Sequence, residues 1–165
     1  MSRRHLLLVF SLTVIAAAVA SPGAGNAVAA GGKTLTATLT GATEVPGPGD
    51  PDGAGTAEIT INPGLKSVCY TLTWSNLDDP VWGGHIHVGG AGTAGGVVVT
   101  LFGGPLLPRT SYPGTFTTSD CNTTSVSSAQ LADIIDNPSG YYVNIHTDVY
   151  PNGAIRGQLG KPAED

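Results

Sequence analysis

From residue 33 to residue 159 the chain is written in short stretches that alternate apolar residues with threonine and are broken by glycine and proline. The stretch 33–41 sets Leu35, Ala37 and Leu39 against Thr34, Thr36 and Thr38. The stretch 56–62 puts Ala57, Ile59 and Ile61 on one side, and 68–75 sets Val68, Tyr70, Leu72 and Trp74 against Cys69, Thr71 and Thr73. A period of two sends one set into a core and the other outward, which predicts half-buried strands. The 24 glycines and 12 prolines among 165 residues are dense but aperiodic, so collagen is excluded. Charged residues are only 12%, too few for a heptad coiled coil, and the apolar share of 41% argues against disorder of the bulk.

Further strands are predicted over 85–88, 97–102, 112–118, 141–146 and 154–159. The continuous apolar run at 97–102 reads as a central strand. Tyr150-Pro151-Asn152-Gly153 reads as the turn of a hairpin between the last two. The segment 43–55, crowded with glycine and proline, is expected to be a loop. One short helix is predicted over 127–136, capped by Ser127 or Ser128 and presenting Leu131, Ile134 and Ile135, with Asn137-Pro138 as its stop. Short strands with turns every 8 to 12 residues predict an all-β, antiparallel Greek-key sandwich or barrel carrying that helix.

Residues 1–29 have a different character. Arg3, Arg4 and His5 precede a largely apolar run of fifteen residues from Leu6 to Ala20, interrupted only by Ser11 and Thr13, and small-x-small sites end at Ala20 and Ala29. This is the layout of a secretory signal peptide, cleaved after 20 or 29. Fifteen helical residues span about 22 Å, short of the ~30 Å hydrocarbon core. The expected mature chain is a single domain, 30–165, with no transmembrane segment and a secreted, extracellular or cell-envelope location. It holds five basic and twelve acidic residues, a net charge of −7, and such a balance excludes a nucleic-acid face. In an oxidising compartment Cys69 and Cys121 are expected to form a disulfide.

The mature chain keeps three histidines, His85, His87 and His146. In His85-Ile86-His87-Val88, Ile86 and Val88 belong to the core series, so His85 and His87 share the opposite face. In the stretch 141–146, Tyr141, Val143 and Ile145 form the core series, so Tyr142, Asn144 and His146 face outward, with Asp148 next in register. If the two strands are neighbours, three imidazoles converge in a surface cluster. Neutral imidazoles suit copper or zinc, with Asp148 or water as the fourth ligand. Nitrogens within about 3 to 4 Å of one another would fit an ion bound at about 2.0 to 2.1 Å. Arg156 is expected to point outward with Gln158, pairing with Asp148 or Glu44. Asp50 and Asp52 read as solvated turn residues, and the glycine-rich 89–96 stretch as a strand connection rather than a phosphate cradle. No catalytic residue is assigned. A shallow polar site of Glu44, His146, Asp148 and Arg156 is the weaker, enzymatic reading.

Three motifs in order resemble the CHRD domain family, named after the repeated domains of chordin. They are Leu39-Thr40-Gly41-Ala42-Thr43-Glu44-Val45-Pro46; Gly84-His85-Ile86-His87-Val88-Gly89 with the following Val97-Val98-Val99-Thr100-Leu101-Phe102; and Tyr141-Tyr142-Val143-Asn144-Ile145-His146-Thr147 leading to Ile155-Arg156-Gly157-Gln158-Leu159. The resemblance covers about residues 33–160. It implies a secreted or surface β-sandwich, immunoglobulin-like or copper/zinc superoxide dismutase-like, and carries over Glu44, His85, His87, His146, Arg156 and Gly157 as motif positions. A looser likeness to copper/zinc superoxide dismutase rests on the His-x-His strand and single disulfide. Three histidines cannot assemble that family's dinuclear site, which leaves a mononuclear one. The alternative function is a non-catalytic extracellular or cell-envelope binding or matrix module without metal.

Overall fold

The computed structural model describes residues 31–78, 80–103 and 115–163. The expected signal peptide lies outside the described residues. Eight strands form one antiparallel sheet: β1 Lys33–Thr40, β2 Ala54–Asn62, β3 Ser67–Ser75, β4 Val81–Val88, β5 Val97–Gly103, β6 Thr115–Thr123, β7 Tyr141–Thr147 and β8 Ile155–Gln158. Their order is β5-β4-β7-β8-β1-β2-β3-β6, so β1-β2-β3 is a meander while β3–β6 and β4–β7 pair across skipped strands, the Greek-key mode of connection.

The sheet curls until its two end strands face each other. Phe102 of β5 stacks near Trp74 of β3 at 6.2 Å, and Asn122 Nδ2 of β6 donates to the Leu101 carbonyl of β5 at 2.8 Å. The result is a nearly closed barrel. Its interior is the alternating apolar set: Leu35, Leu39, Ile59, Ile61, Leu72, Ile86, Val143, Ile145 and Ile155 are all essentially inaccessible. Cys69 and Cys121 are directly opposed in the β3–β6 ladder and form the expected disulfide across 52 residues. A loop of that size is worth about 4 kcal/mol in the chain-entropy account.

α1, Ser128–Asp136, lays Leu131 and Ile134 into the hydrophobic cluster. The Ser127 side chain caps it, accepting from the Gln130 amide at 3.2 Å. Ser127→Ala is expected to lower the unfolding free energy by about 1 kcal/mol, read from the urea midpoint at unchanged slope.

Several expectations need correction. β4 begins at Val81, four residues early, because Gly83 and Gly84 pair in both ladders instead of ending the strand. Val88 is 45% exposed rather than core, because it stands at the end of β4, where the chain leaves the barrel. The apolar run of β5 is the end strand of the ladder, not a central one; only its alternate members Val99 and Leu101 are buried, and Val97 is exposed. β6 runs to Thr123, later than expected, and residues 112–114 lie outside the described residues. Asp50 is fully buried rather than solvated, because it accepts from the Gly53 and Asp78 amides and so ties the 41–53 segment to the barrel.

Candidate metal centre

Strand pairing brings the two histidine segments together. β4 and β7 are hydrogen-bonded neighbours, with Gly83 opposite His146, His85 opposite Asn144 and His87 opposite Tyr142. Ile86, Val143 and Ile145 point inward, so His85, His87, Tyr142, Asn144 and His146 share the outer face. That face is not solvent. Every residue of β7 is buried, because the segment 41–53 and the 89–96 loop fold over it. The expected surface cluster is therefore a covered one: His87 is 8% and His146 6% exposed.

The geometry singles out one nitrogen on each ring. His87 Nδ1 lies 3.0 Å from the Gly95 carbonyl and His146 Nδ1 lies 3.1 Å from the Pro151 carbonyl. A carbonyl only accepts, so both Nδ1 atoms carry the proton, and each Nε2 keeps a free lone pair. Both Nε2 atoms are buried without a hydrogen-bond partner, as is His85 Nδ1. The three rings offer donor atoms that all lie within 4.8 Å of one another. This is wider than the 3 to 4 Å of a shared ion, so the rings must close by about 1 Å to reach bonding distances of ~2.0 to 2.1 Å. Trp82 stacks on His146 at 5.1 Å, and Tyr142 stacks on His87 at 4.9 Å, which limits the rings to such small rotations.

Burial pushes His85 down to about 4, helped by neighbouring His146 and His87. Burial also pushes His146 down to about 4, against the raising effect of its Pro151 bond, and lowers His87. All three are thus neutral near pH 7, the form that binds metal. The carbonyl partners orient the rings as outer-shell groups do at metal centres.

The other anticipated residues are distributed around this cluster. Asp148 is exposed just beyond β7 and is not one of the grouped donors. Arg156 does leave the barrel interior, but it is 1% exposed; its Nη2 donates to the Gly90 and Thr93 carbonyls and to Gln158. Its guanidinium lies 3.5 Å over the Tyr142 ring, which links it by stacking to His87. The 89–96 stretch is therefore a strand connection that also acts as a cover, pinned by Arg156 and supplying the Gly95 carbonyl to His87.

Glu44 is 6% exposed and both its oxygens accept from Asn144 Nδ2 at 3.0 Å. A Cβ on Gly153 would stand 2.4 Å from Glu44 Oε2, so the glycine that makes the hairpin turn, at φ +140°, also makes room for this pair. Burial pushes Glu44 up to about 7 against the lowering pull of Arg156 and Asn144. A carboxyl raised in the fold stabilises it below the unfolded value near 4.5, and that contribution is lost as the pH rises through about 7. Glu44→Gln should therefore gain about 2 kcal/mol on wild type between pH 5 and pH 8 in urea unfolding. Parallel pH profiles for the two proteins would contradict this account.

Sequence reasoning missed Trp82, the two carbonyl partners and the cover over Tyr142. Only Tyr142 and Asn144 carried a signal, since they share parity with His146. Among the described residues no helix is long and apolar enough to cross a membrane. In comparison with known proteins, the CHRD domain family model matches residues 35–159. No curated protein and no solved structure matches the chain.

Proposed function

Because the chain belongs to the CHRD domain family over residues 35–159, we propose that it is an exported CHRD-domain protein that binds one transition-metal ion, copper or zinc, through His85, His87 and His146. One observation carries this reading. Two buried imidazoles and the half-buried His85 offer ligand nitrogens that lie within 4.8 Å of one another, one nitrogen on each ring is buried without a partner, and the other ring nitrogens of His87 and His146 are engaged by backbone carbonyls. Leaving three polar atoms unsatisfied at one spot costs about 1–3 kcal/mol each, a burden that a shared ion removes. Water or Asp148, on the exposed segment that follows β7, would take the fourth position. When bound, zinc would supply Lewis acidity and copper one-electron exchange. Export is supported by the basic and apolar pattern of residues 1–29 and by the disulfide, which persists in oxidising compartments.

The test uses protein without a histidine tag, titrated with Cu²⁺ or Zn²⁺ in a calorimeter, with the bound metal counted by elemental analysis. One ion per chain is expected, and none in the variant with all three histidines replaced by alanine. Equal uptake by wild type and the triple variant would overturn the reading and leave a metal-free extracellular or envelope module.

A further inference from the structure

The charge around the three imidazoles bears on which ion they can hold. Among the described residues the grouped donors are His85, His87 and His146 alone, with no carboxylate or thiolate among them. All three rings are neutral donors, and His87 and His146 are buried. The Tyr142 ring, which stacks on His87 at 4.9 Å, holds the Arg156 guanidinium 3.5 Å from its centroid. Arg156 is itself buried, and the acceptors of its Nη2 are the Gly90 and Thr93 carbonyls and Gln158 Oε1, all neutral. A guanidinium keeps its proton in proteins, so a fixed cation stands beside the aromatic pair. Its field reaches the imidazole, since after burial the influence that lowers His87 is the Arg156 charge. Glu44 also feels Arg156, but burial pushes it up to about 7, so at pH 6 it is largely protonated and supplies no compensating charge.

A metal ion entering this spot leaves water, gains no anionic ligand and meets a like charge. The cost of carrying charge in a poorly polar interior rises with the square of that charge, and the repulsion by Arg156 rises in proportion to it. A dication is therefore penalised much more than a monocation. Coordination number points the same way. Zinc takes four ligands in protein sites, and here the fourth has to come from outside the group of three. Cu⁺ is a closed-shell ion that three nitrogens in one plane satisfy. Trp82 stacks on His146 at 5.1 Å and meets His85 edge-on at 6.4 Å, so an indole flanks two of the three rings.

We propose that the three-histidine centre is selective for monovalent copper over divalent zinc, and that Arg156, acting through Tyr142 and His87, is a positioning residue that sets this preference. The inference rests on the metal reading above and narrows it to one ion and one charge.

The experiment measures both affinities at pH 6 on untagged protein with its disulfide intact. Cu⁺ is supplied under nitrogen as its bathocuproine disulfonate complex, with ascorbate to keep it monovalent, and Zn²⁺ is supplied in competition with a chromophoric chelator. Cu⁺ is expected to bind one per chain, at least about a thousandfold more tightly than Zn²⁺. Arg156→Gln, confirmed as folded by its melting transition, should narrow that ratio by about tenfold or more, because removal of one fixed charge relieves the dication twice as much as the monocation. Arg156→Lys keeps a cation there and should retain the wild-type ratio. The wild-type ratio decides without any variant: Zn²⁺ bound as tightly as Cu⁺ would overturn the preference and leave the three-histidine reading standing. An unchanged ratio in folded Arg156→Gln would overturn the role of the guanidinium. Uptake of neither ion would overturn the metal reading and this inference with it.

Discussion

Alanine in place of His87 is expected to cost at least about a hundredfold in affinity for Cu²⁺ or Zn²⁺, because loss of one of three donors exceeds the 10–100-fold effect of losing an outer-shell partner. The effect should also appear as stability. An ion that binds only the folded chain adds about 4 kcal/mol at a thousandfold excess over its dissociation constant, roughly ten degrees or more in melting temperature for a domain of this size. The wild type should show that rise on metal addition and lose it to EDTA; His87→Ala should show almost none of it at the same metal concentration. Trp82, stacked 5.1 Å from His146, supplies a second readout, since its emission should be quenched as Cu²⁺ fills the site. A hundredfold loss in His87→Ala together with an unchanged metal-free melting temperature would locate the effect in ligation. Equal metal-induced stabilisation of the two proteins would remove His87 from the site.

The second large effect concerns Gly157. A Cβ there would stand 2.2 Å from the Thr38 carbonyl oxygen and 2.8 Å from its carbon, and both are backbone atoms. No rotamer change relieves such a contact. β1 and β8 would have to move apart, although they share the Thr40–Arg156 pairing and the Thr36–Gly160 bridge holds the chain just after β8 to β1. Gly157→Ala is therefore expected to cost about 3 kcal/mol or more, at the upper end of single substitutions, and to lower the urea midpoint accordingly. Gly92→Ala is the control. Its Cβ meets nothing within 4 Å, so the φ of +75° alone sets a smaller penalty. Similar midpoints for the two variants would show that the close approach at Gly157 is not what limits substitution there.

Much of this architecture is legible in the sequence because alternation is a local property. Leu35, Ala37 and Leu39 against their threonines require no partner to declare which side is inward, and the same parity puts His85, His87 and His146 outside the barrel. Adjacency of β4 and β7 is a matter of long-range pairing, which no local pattern in either segment declares. The cover is illegible for a different reason. Whether an outward residue meets water depends on where glycine-rich segments come to rest, and that is decided by individual bonds such as Asp50 to the Asp78 amide and Arg156 to the Gly90 carbonyl. Arg156 carries only an outward parity in the sequence, and the structure sets its Nη2 on carbonyls and its guanidinium over an aromatic face. The run 97–102 misled because continuous apolarity signals burial on both faces, whereas here it serves an end strand that packs only its alternate residues inward.

That end strand has a mechanical meaning. Around most of its circumference the cylinder is laced by peptide hydrogen bonds, but where β5 meets β6 the lacing stops and an amide side chain and one aromatic ring take over. A seam without peptide hydrogen bonds among the described residues costs less to open than a laced one, and this one lies on the far side of the ladder from β1 and β8. The histidine strands lie just inside it, β4 one step and β7 two, so an outward swing of β5 would loosen the bed of the imidazoles before it disturbed the meander that the disulfide joins to β6.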